Sequence, residues 1–216
     1  MYEGKVTPGG LAAVRELPTL TITKVSVGPM DNNAYLLLCR TTGEQVLIDA
    51  ANDAPVLLDL IGDAGLTTVV TTHRHRDHWM ALTEVIEATG ARPVAHPLDA
   101  PELPVPCALV NDGGAVTVGE CTLEVIHLVG HTPGSIALLY RDPAGHPHLF
   151  TGDSLFPGGV GNTRGNAANF KSLMTDVTTK LFDRLPDDTW VYPGHGDDTT
   201  LGRERPALPD WWSRGW

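Results

Sequence analysis

The segment Thr72-His73-Arg74-His75-Arg76-Asp77-His78 constrains this chain more than any other feature. It follows an apolar run, Leu66 to Thr71, that reads as a β-strand. It precedes Trp79 to Thr89, whose Leu82, Val85 and Ile86 keep helical spacing up to Gly90. In an extended strand exit, side chains two residues apart share a side, so His73 and His75 face one point. Asp77 and His78 turn with the helix start towards a neighbouring point. One short segment can therefore serve two metal ions. The competing reading is a polar loop that happens to hold histidines, but H-x-H-x-D-H is far more demanding than any lone histidine.

Three further candidates stand in the same local context, each just past an apolar strand. They are His131 in Gly130-His131-Thr132-Pro133-Gly134, Asp153 in Thr151-Gly152-Asp153, and His195 in Pro193-Gly194-His195-Gly196. Taken singly, each is more often a turn residue than a ligand, since histidine and aspartate both favour turns. Their repetition changes the balance. If these strands share a sheet edge, their ends deliver side chains to one crevice, and the adjacent glycines let the backbone come close. Imidazole and carboxylate donors without a thiolate suit zinc, iron or manganese alike. Two such cations about 4 Å apart depress the pKa of a bridging water towards neutrality and supply a hydroxide nucleophile for a carbonyl carbon.

The rest of the chain reads as strands interleaved with helices. Strands are expected over Thr19 to Val27, Ala34 to Cys39, Gln45 to Ile48, Leu66 to Thr71, Pro93 to Ala95, Ala115 to Val118, Cys121 to Leu128, Ser135 to Tyr140, His148 to Phe150 and Thr189 to Tyr192. Helices are expected over Pro55 to Ala64, Trp79 to Thr89 and Asn169 to Leu185. Residues 1 to 18 read as an irregular segment, and both termini as lying outside the core. With 216 residues and no Pro/Gly-rich divide, residues 19 to 216 are expected to form one α/β domain, strands central and helices outside.

Charge and cysteine usage narrow the function classes. A formal net charge of -11 repels phosphate backbones, and no local cluster of Lys or Arg offsets it, which argues against a nucleic-acid partner. No apolar run is long enough to span a bilayer, and Met1 to Pro18 lacks the hydrophobic stretch of a signal peptide. No membrane association and a cytoplasmic location are therefore expected. Cys39, Cys107 and Cys121 are odd in number and outside any C-x-x-C, so they read as reduced structural thiols. The sequence specifies no oligomeric state.

The sequence resembles the metallo-β-lactamase superfamily, in particular its glyoxalase II-like hydrolases of short, actinobacterial form. The likeness runs from Asn33-Ala34-Tyr35 through Val46-Leu47-Ile48-Asp49, the histidine run, Gly130-His131-Thr132-Pro133-Gly134-Ser135 and Phe150-Thr151-Gly152-Asp153-Ser154-Leu155-Phe156 to Tyr192-Pro193-Gly194-His195. The resemblance implies a four-layer αββα sandwich (α/β, or α+β) with its site at one edge of two sheets. It places His73, His75 and His131 on a first metal, Asp77, His78 and His195 on a second, and Asp153 between them, with zinc the expected metal and iron or manganese open. It gives Asp77 and Asp153 catalytic roles and Asp49 the task of supporting the ligand loop. The implied activity is hydrolysis of a small-molecule thioester, such as a lactoyl-thiol conjugate. The alternatives are a mononuclear iron persulfide dioxygenase and a lactonase of the same fold. Asn162 stands where glutathione-using relatives place a basic residue, and only 21 residues follow His195, so a sugar-type thiol such as mycothiol is the expected carrier.

Other conspicuous residues receive bland readings. His96, His127, His146 and His148 match no ligand position, and His146-Pro147-His148 reads as a hairpin turn. Trp211, Trp212 and Trp216 are expected to pack on the domain.

Overall fold

The structure is a computed structural model and describes residues 2–215. One sheet carries seven strands in sequential order: β1 (Ala13–Glu16), β2 (Leu20–Val27), β3 (Asn32–Cys39), β4 (Gln45–Ile48), β5 (Thr68–Val70), β6 (Arg92–Ala95) and β7 (Ala108–Leu109). The first four pair antiparallel, and β4 to β7 pair parallel. Helices α1 (Ala54–Ile61) and α2 (Leu82–Thr89) connect β4 to β5 and β5 to β6, as parallel strands require a crossover.

A second sheet begins with β8 (Ala115–Val118), β9 (Cys121–His127), β10 (Ile136–Arg141) and β11 (Pro147–Gly152). A ribbon of β12 (Leu155–Phe156) and β13 (Gly159–Val160) then leads to α3 (Ala167–Asp176), before β14 (Trp190–Pro193) and β15 (Thr199–Thr200) complete the sheet in the order β15-β14-β11-β10-β9-β8. Short helices α4 (Leu201–Glu204) and α5 (Leu208–Arg214) follow.

Period-2 patterning decides how these elements stack. Along β2, Leu20 and Ile22 point between the sheets and meet Leu37, Ile48, Leu123, Leu138 and Phe150 in one buried cluster. The opposite face of the same sheet sends Val25, Leu36, Leu47 and Val69 against Leu57 and Ile61 of α1 and Leu82 and Val85 of α2. The outer face of the second sheet sends Ile126, Leu139, Leu149 and Val191 against Phe170, Leu173 and Met174 of α3 and against Trp211. Three apolar layers separate four layers of backbone, so the architecture is the αββα sandwich that the resemblance implies.

Several differences from the sequence reading have physical reasons. Residues 13–16, expected to be irregular, pair with β2 as an edge strand. Their partly exposed alternation, with Val14 at the surface, carries too little hydrophobic signal to mark a strand. β7, β12, β13 and β15 are two residues long, too short to show any period. The helix expected over Asn169 to Leu185 begins earlier, because the Asn166 side chain accepts the Asn169 N–H and caps α3. It continues as a π-helical turn over Val177–Phe182, where Thr175 and Thr179 bond back to carbonyls four residues earlier, a habit that bends helices.

The C-terminal end is not outside the core, since Trp211 of α5 is 1% exposed. Trp212 is exposed and lays its ring edge-on to Phe170; Trp216 lies outside the described residues. Cys39, Cys107 and Cys121 are free thiols. Among the described residues no helix is long and apolar enough to cross a membrane.

His148 is fully buried in β11, where the strand reading of His148 to Phe150 puts it and the hairpin-turn reading does not; its Nδ1 bonds with the Tyr192 hydroxyl at 2.9 Å and its Nε2 has no partner among the described residues. Burial, then the nearby Arg15 charge, pushes its pKa down to about 3. A histidine held neutral in the fold takes up a proton only after unfolding, so its contribution to stability is lost as pH falls from about 6.5 towards 3. His148→Phe is expected to flatten that acid limb by on the order of 1–2 kcal/mol at about pH 5, while leaving turnover unchanged. Urea melts of both proteins from pH 7 to pH 4 measure this, and parallel acid limbs would contradict it.

Candidate metal centre

The carboxyl ends of β4, β5, β11 and β14 and the loop after β9 converge at one edge of the sandwich. They carry Asp49, the histidine run, Asp153, His195 and His131 respectively. Residues parallel in a sheet end together, which explains how positions far apart in sequence share one crevice.

Two groups have donor atoms within 4.8 Å of one another, the first His73, His75 and His131 and the second Asp77, His78 and His195, and a set of His73, His78 and Asp153 overlaps both. In the first group His75 Nδ1 stands 3.1 Å from His73 Nε2 and 2.9 Å from His131 Nε2. In the second, His78 Nε2 stands 3.2 Å from His195 Nε2, and Asp77 Oδ2 is 3.3 Å from His195 Nε2. Asp153 lies between the groups, with Oδ1 3.3 Å from His78 and Oδ2 3.5 Å from His131 and 3.4 Å from His195. All seven residues read from the sequence are thus brought together.

The outer nitrogens of these rings fix what the inner ones can do. Asp49 Oδ2 accepts from His78 Nδ1 at 2.8 Å. The Asn162 carbonyl takes His131 Nδ1, and the Met30 carbonyl takes His195 Nδ1, each at 2.9 Å. His73 Nδ1 faces Thr72 Oγ1 at 3.1 Å, and that hydroxyl already donates to Asp49 Oδ2, so it accepts from His73. Each of these four rings, when neutral, carries its proton outside and turns a lone pair inward. Where two such lone pairs meet, as between His78 Nε2 and His195 Nε2 at 3.2 Å, they repel, and a cation between them removes the repulsion. This is the arrangement by which carboxylates and carbonyls orient metal-binding histidines. The donor set therefore fits divalent metal ions. His75 alone has a donor outside, Arg164, whose guanidinium is 3.4 Å from Nε2.

Electrostatics separates the two groups. Burial, followed by His78, holds His73 well below the usual imidazole range, and burial also lowers His131 and drops His75 to about 4. In the second group burial opposes protonation, yet bonds to Asp153 and Asp77 outweigh it and raise His195 to about 10. Asp153 and then Asp49 overcome burial to raise His78 well above its usual range. Asp153 stays well below the carboxylate range despite its own burial, chiefly through His78, and Asp77 is lowered first by its bond from His195. The second group concentrates negative charge that attracts cations; the first offers neutral nitrogens.

Supporting residues include some that sequence reasoning did not single out. Asp49 sits in a left-handed backbone conformation at φ 59° and accepts from Thr72 N and Thr72 Oγ1 as well as from His78. Asp99 takes Arg74 N, Thr132 Oγ1 and Gly134 N, tying the His73 loop to the His131 loop. It lies in a proline-rich connection where no spacing marks it. Asn32 Nδ2 holds Asp77 Oδ2 at 2.9 Å. Two open clefts of about 400 Å³ and 410 Å³ flank the cluster and share His75, His131 and Arg164. Arg74 and Asn169 line one; Met30, Asp77, Asp153 and His195 line the other.

The family profile of the metallo-beta-lactamase superfamily matches residues 27–195, most of the chain and every residue of the cluster. The chain belongs to the metallo-beta-lactamase superfamily. Among its relatives is a hydroxyacylglutathione hydrolase of Polaromonas, 37% identical over 76% of this chain, which spans 62% of that protein's length. Among solved structures, ETHE1 from Myxococcus xanthus superposes with a TM-score of 0.76 at 31% identity, over 89% of this chain and 84% of that one. TTHA1623 in a di-iron-bound form gives 0.72 at 34% identity, over 84% and 96%. These likenesses agree with the metal-binding chemistry of the cluster.

Proposed function

We propose that the chain is a binuclear metallohydrolase that cleaves hydroxyacyl thioesters into a hydroxy acid and a thiol. The observation that carries this reading is the donor count: two groups of three protein donors stand on either side of Asp153, whose carboxylate comes within 3.5 Å of His78, His131 and His195, and three donors on each ion would leave room for water and a carbonyl oxygen. His73, His75 and His131 would hold one ion and Asp77, His78 and His195 the other, with zinc proposed and iron satisfying the same donors. When bound, two such cations lower the pKa of water towards neutrality and polarise a carbonyl.

The chain's own residues favour a substrate with a good leaving group. Asp77 and Asp153 both lie below the usual carboxylate range, so neither holds a proton to give to a departing group at neutral pH. A thiolate leaves without such an acid; an amine needs one and an alkoxide leaves less readily. This ranks thioester hydrolysis above lactonase and β-lactam cleavage. Ionised Asp77 lines the open cleft, where its charge can orient a water molecule. Met30 offers an exposed apolar side chain at the same mouth. The likeness to ETHE1 keeps the persulfide dioxygenase as the rival reading.

The carrier half of the substrate would occupy the cleft that Arg74 and Arg164 line. Arg74 is committed to Glu102 and Asp99. Asn162 is uncharged, and its side chain is spent on Arg164 N. One guanidinium therefore remains for a carrier such as glutathione, which bears two carboxylates. An S-lactoyl conjugate of a neutral sugar-type thiol is expected to exceed S-lactoylglutathione in kcat/KM by about tenfold, or roughly 1.4 kcal/mol. The test is thiol release from both conjugates by metal-loaded protein. Equal values would contradict the carrier assignment, and no thiol release from either would contradict the thioesterase reading.

A further inference from the structure

Lys24 stands at a position that the sequence pattern reserves for an apolar side chain. On β2 it follows Leu20 and Ile22 at intervals of two, on the face buried between the sheets, and it is fully buried. A charge there gains little over a methionine or leucine of similar size, because desolvation offsets the attraction of a buried partner. What a lysine adds is direction. Its ammonium has three protons, and all three are used at 2.7 Å: on the Gly4 carbonyl, the Gly196 carbonyl and Asp198 Oδ1.

Two of those acceptors belong to the loop that carries His195. The backbone of His195 bridges Asn32 on one side, but residues 196–198 that lead on to β15 are in no strand or helix, so that half of the loop is held by side chains. Asp198 is gripped by Lys24, by the Tyr2 hydroxyl at 3.0 Å and by Trp190 Nε1 at 2.9 Å. Gly196 O also accepts Asn33 Nδ2. Among the described residues no such tie reaches His73, His75 or His131, whose loops are fixed through Thr72, Asp49 and Asp99.

We propose that the buried Lys24–Asp198 pair is a positioning device for His195, so that it sets the metal affinity of the Asp77–His78–His195 group and not that of the His73–His75–His131 group. The proposal rests on the reading of His195 as a metal ligand, and the experiment separates the two. Metal-free full-length protein is titrated with cobalt(II) against a competing chelator, following visible absorption and stoichiometry, for wild type, Lys24→Met, Asp198→Asn and His195→Ala.

Lys24→Met is expected to weaken the second cobalt by about tenfold or more, the effect usual for groups behind metal ligands. The first cobalt should be unchanged and the absorption bands of the second shifted. Asp198→Asn keeps the shape and should act in the same direction with a smaller loss, which covers the case in which Lys24→Met does not fold. Equal weakening of both cobalt sites, or no change at either in the folded variants, would overturn the proposal. Two intact cobalt sites in His195→Ala would overturn the ligand reading and the proposal with it.

Discussion

Asp153→Ala is expected to lower kcat/KM on a lactoyl thioester by at least about 10³-fold, on the order of 4 kcal/mol of transition-state stabilisation. Among the described residues Asp153 is the one carboxylate that reaches both histidine groups, with His78 near Oδ1 and His131 and His195 near Oδ2. Its charge is also the first of the nearby charges that offset the burial of His78. Removing it takes away the carboxylate that stands between the two groups and the charge that would balance metal ions bound there. Steady-state kinetics with metal analysis of the variant measures the effect. A variant that keeps two metals and wild-type turnover would show that Asp153 is not the link. His148→Phe, which alters a buried histidine bonded to Tyr192 instead of the cluster, should stay within about threefold, less than 1 kcal/mol.

Gly194→Ala should have the second-largest effect, about 10²-fold in kcat/KM, the loss expected when reacting groups shift by about 1 Å. A Cβ at this position would lie 2.2 Å from Asp153 Oδ1 and 2.7 Å from His78 Cε1. Gly194 N also donates to the Gly152 carbonyl, and Gly194 O accepts Asn33 N, so the backbone is pinned from both sides. The carboxylate and the imidazole must therefore give way, not the loop. Secondary structure by circular dichroism should be unchanged while kcat falls, and an unimpaired Gly194→Ala enzyme would show that the strand end is more pliant than these contacts imply.

The site was more legible than much of the fold. H-x-H-x-D-H and the glycine-flanked His131, Asp153 and His195 stand out because ligand types at strand exits are rare by chance. Their supports do not stand out: Asp99, Asn32 and Lys24 act through contacts between segments 20 to 174 residues apart, and a single sequence carries no trace of such pairings. Period-2 alternation marked β9 and the first half of β2, whereas β3, buried on both faces, was legible as a continuous apolar run. It could not mark β7, β12 or β15, whose two residues hold no period, nor β1, whose pattern is half exposed. Trp211 entered the core through two short helices that begin after Thr200, and a proline-bearing stretch of that length gives no helical signal from spacing alone.

The measurement that bears most directly on the central claim is elemental analysis of protein isolated without added metal, paired with an assay of thioester hydrolysis before and after chelation. Seven donors in two groups joined by Asp153 predict close to two metal ions per chain, with hydrolysis lost on chelation and restored on adding metal back. One iron per chain, with oxygen consumed in the presence of a persulfide and no thiol released from a thioester, would contradict it.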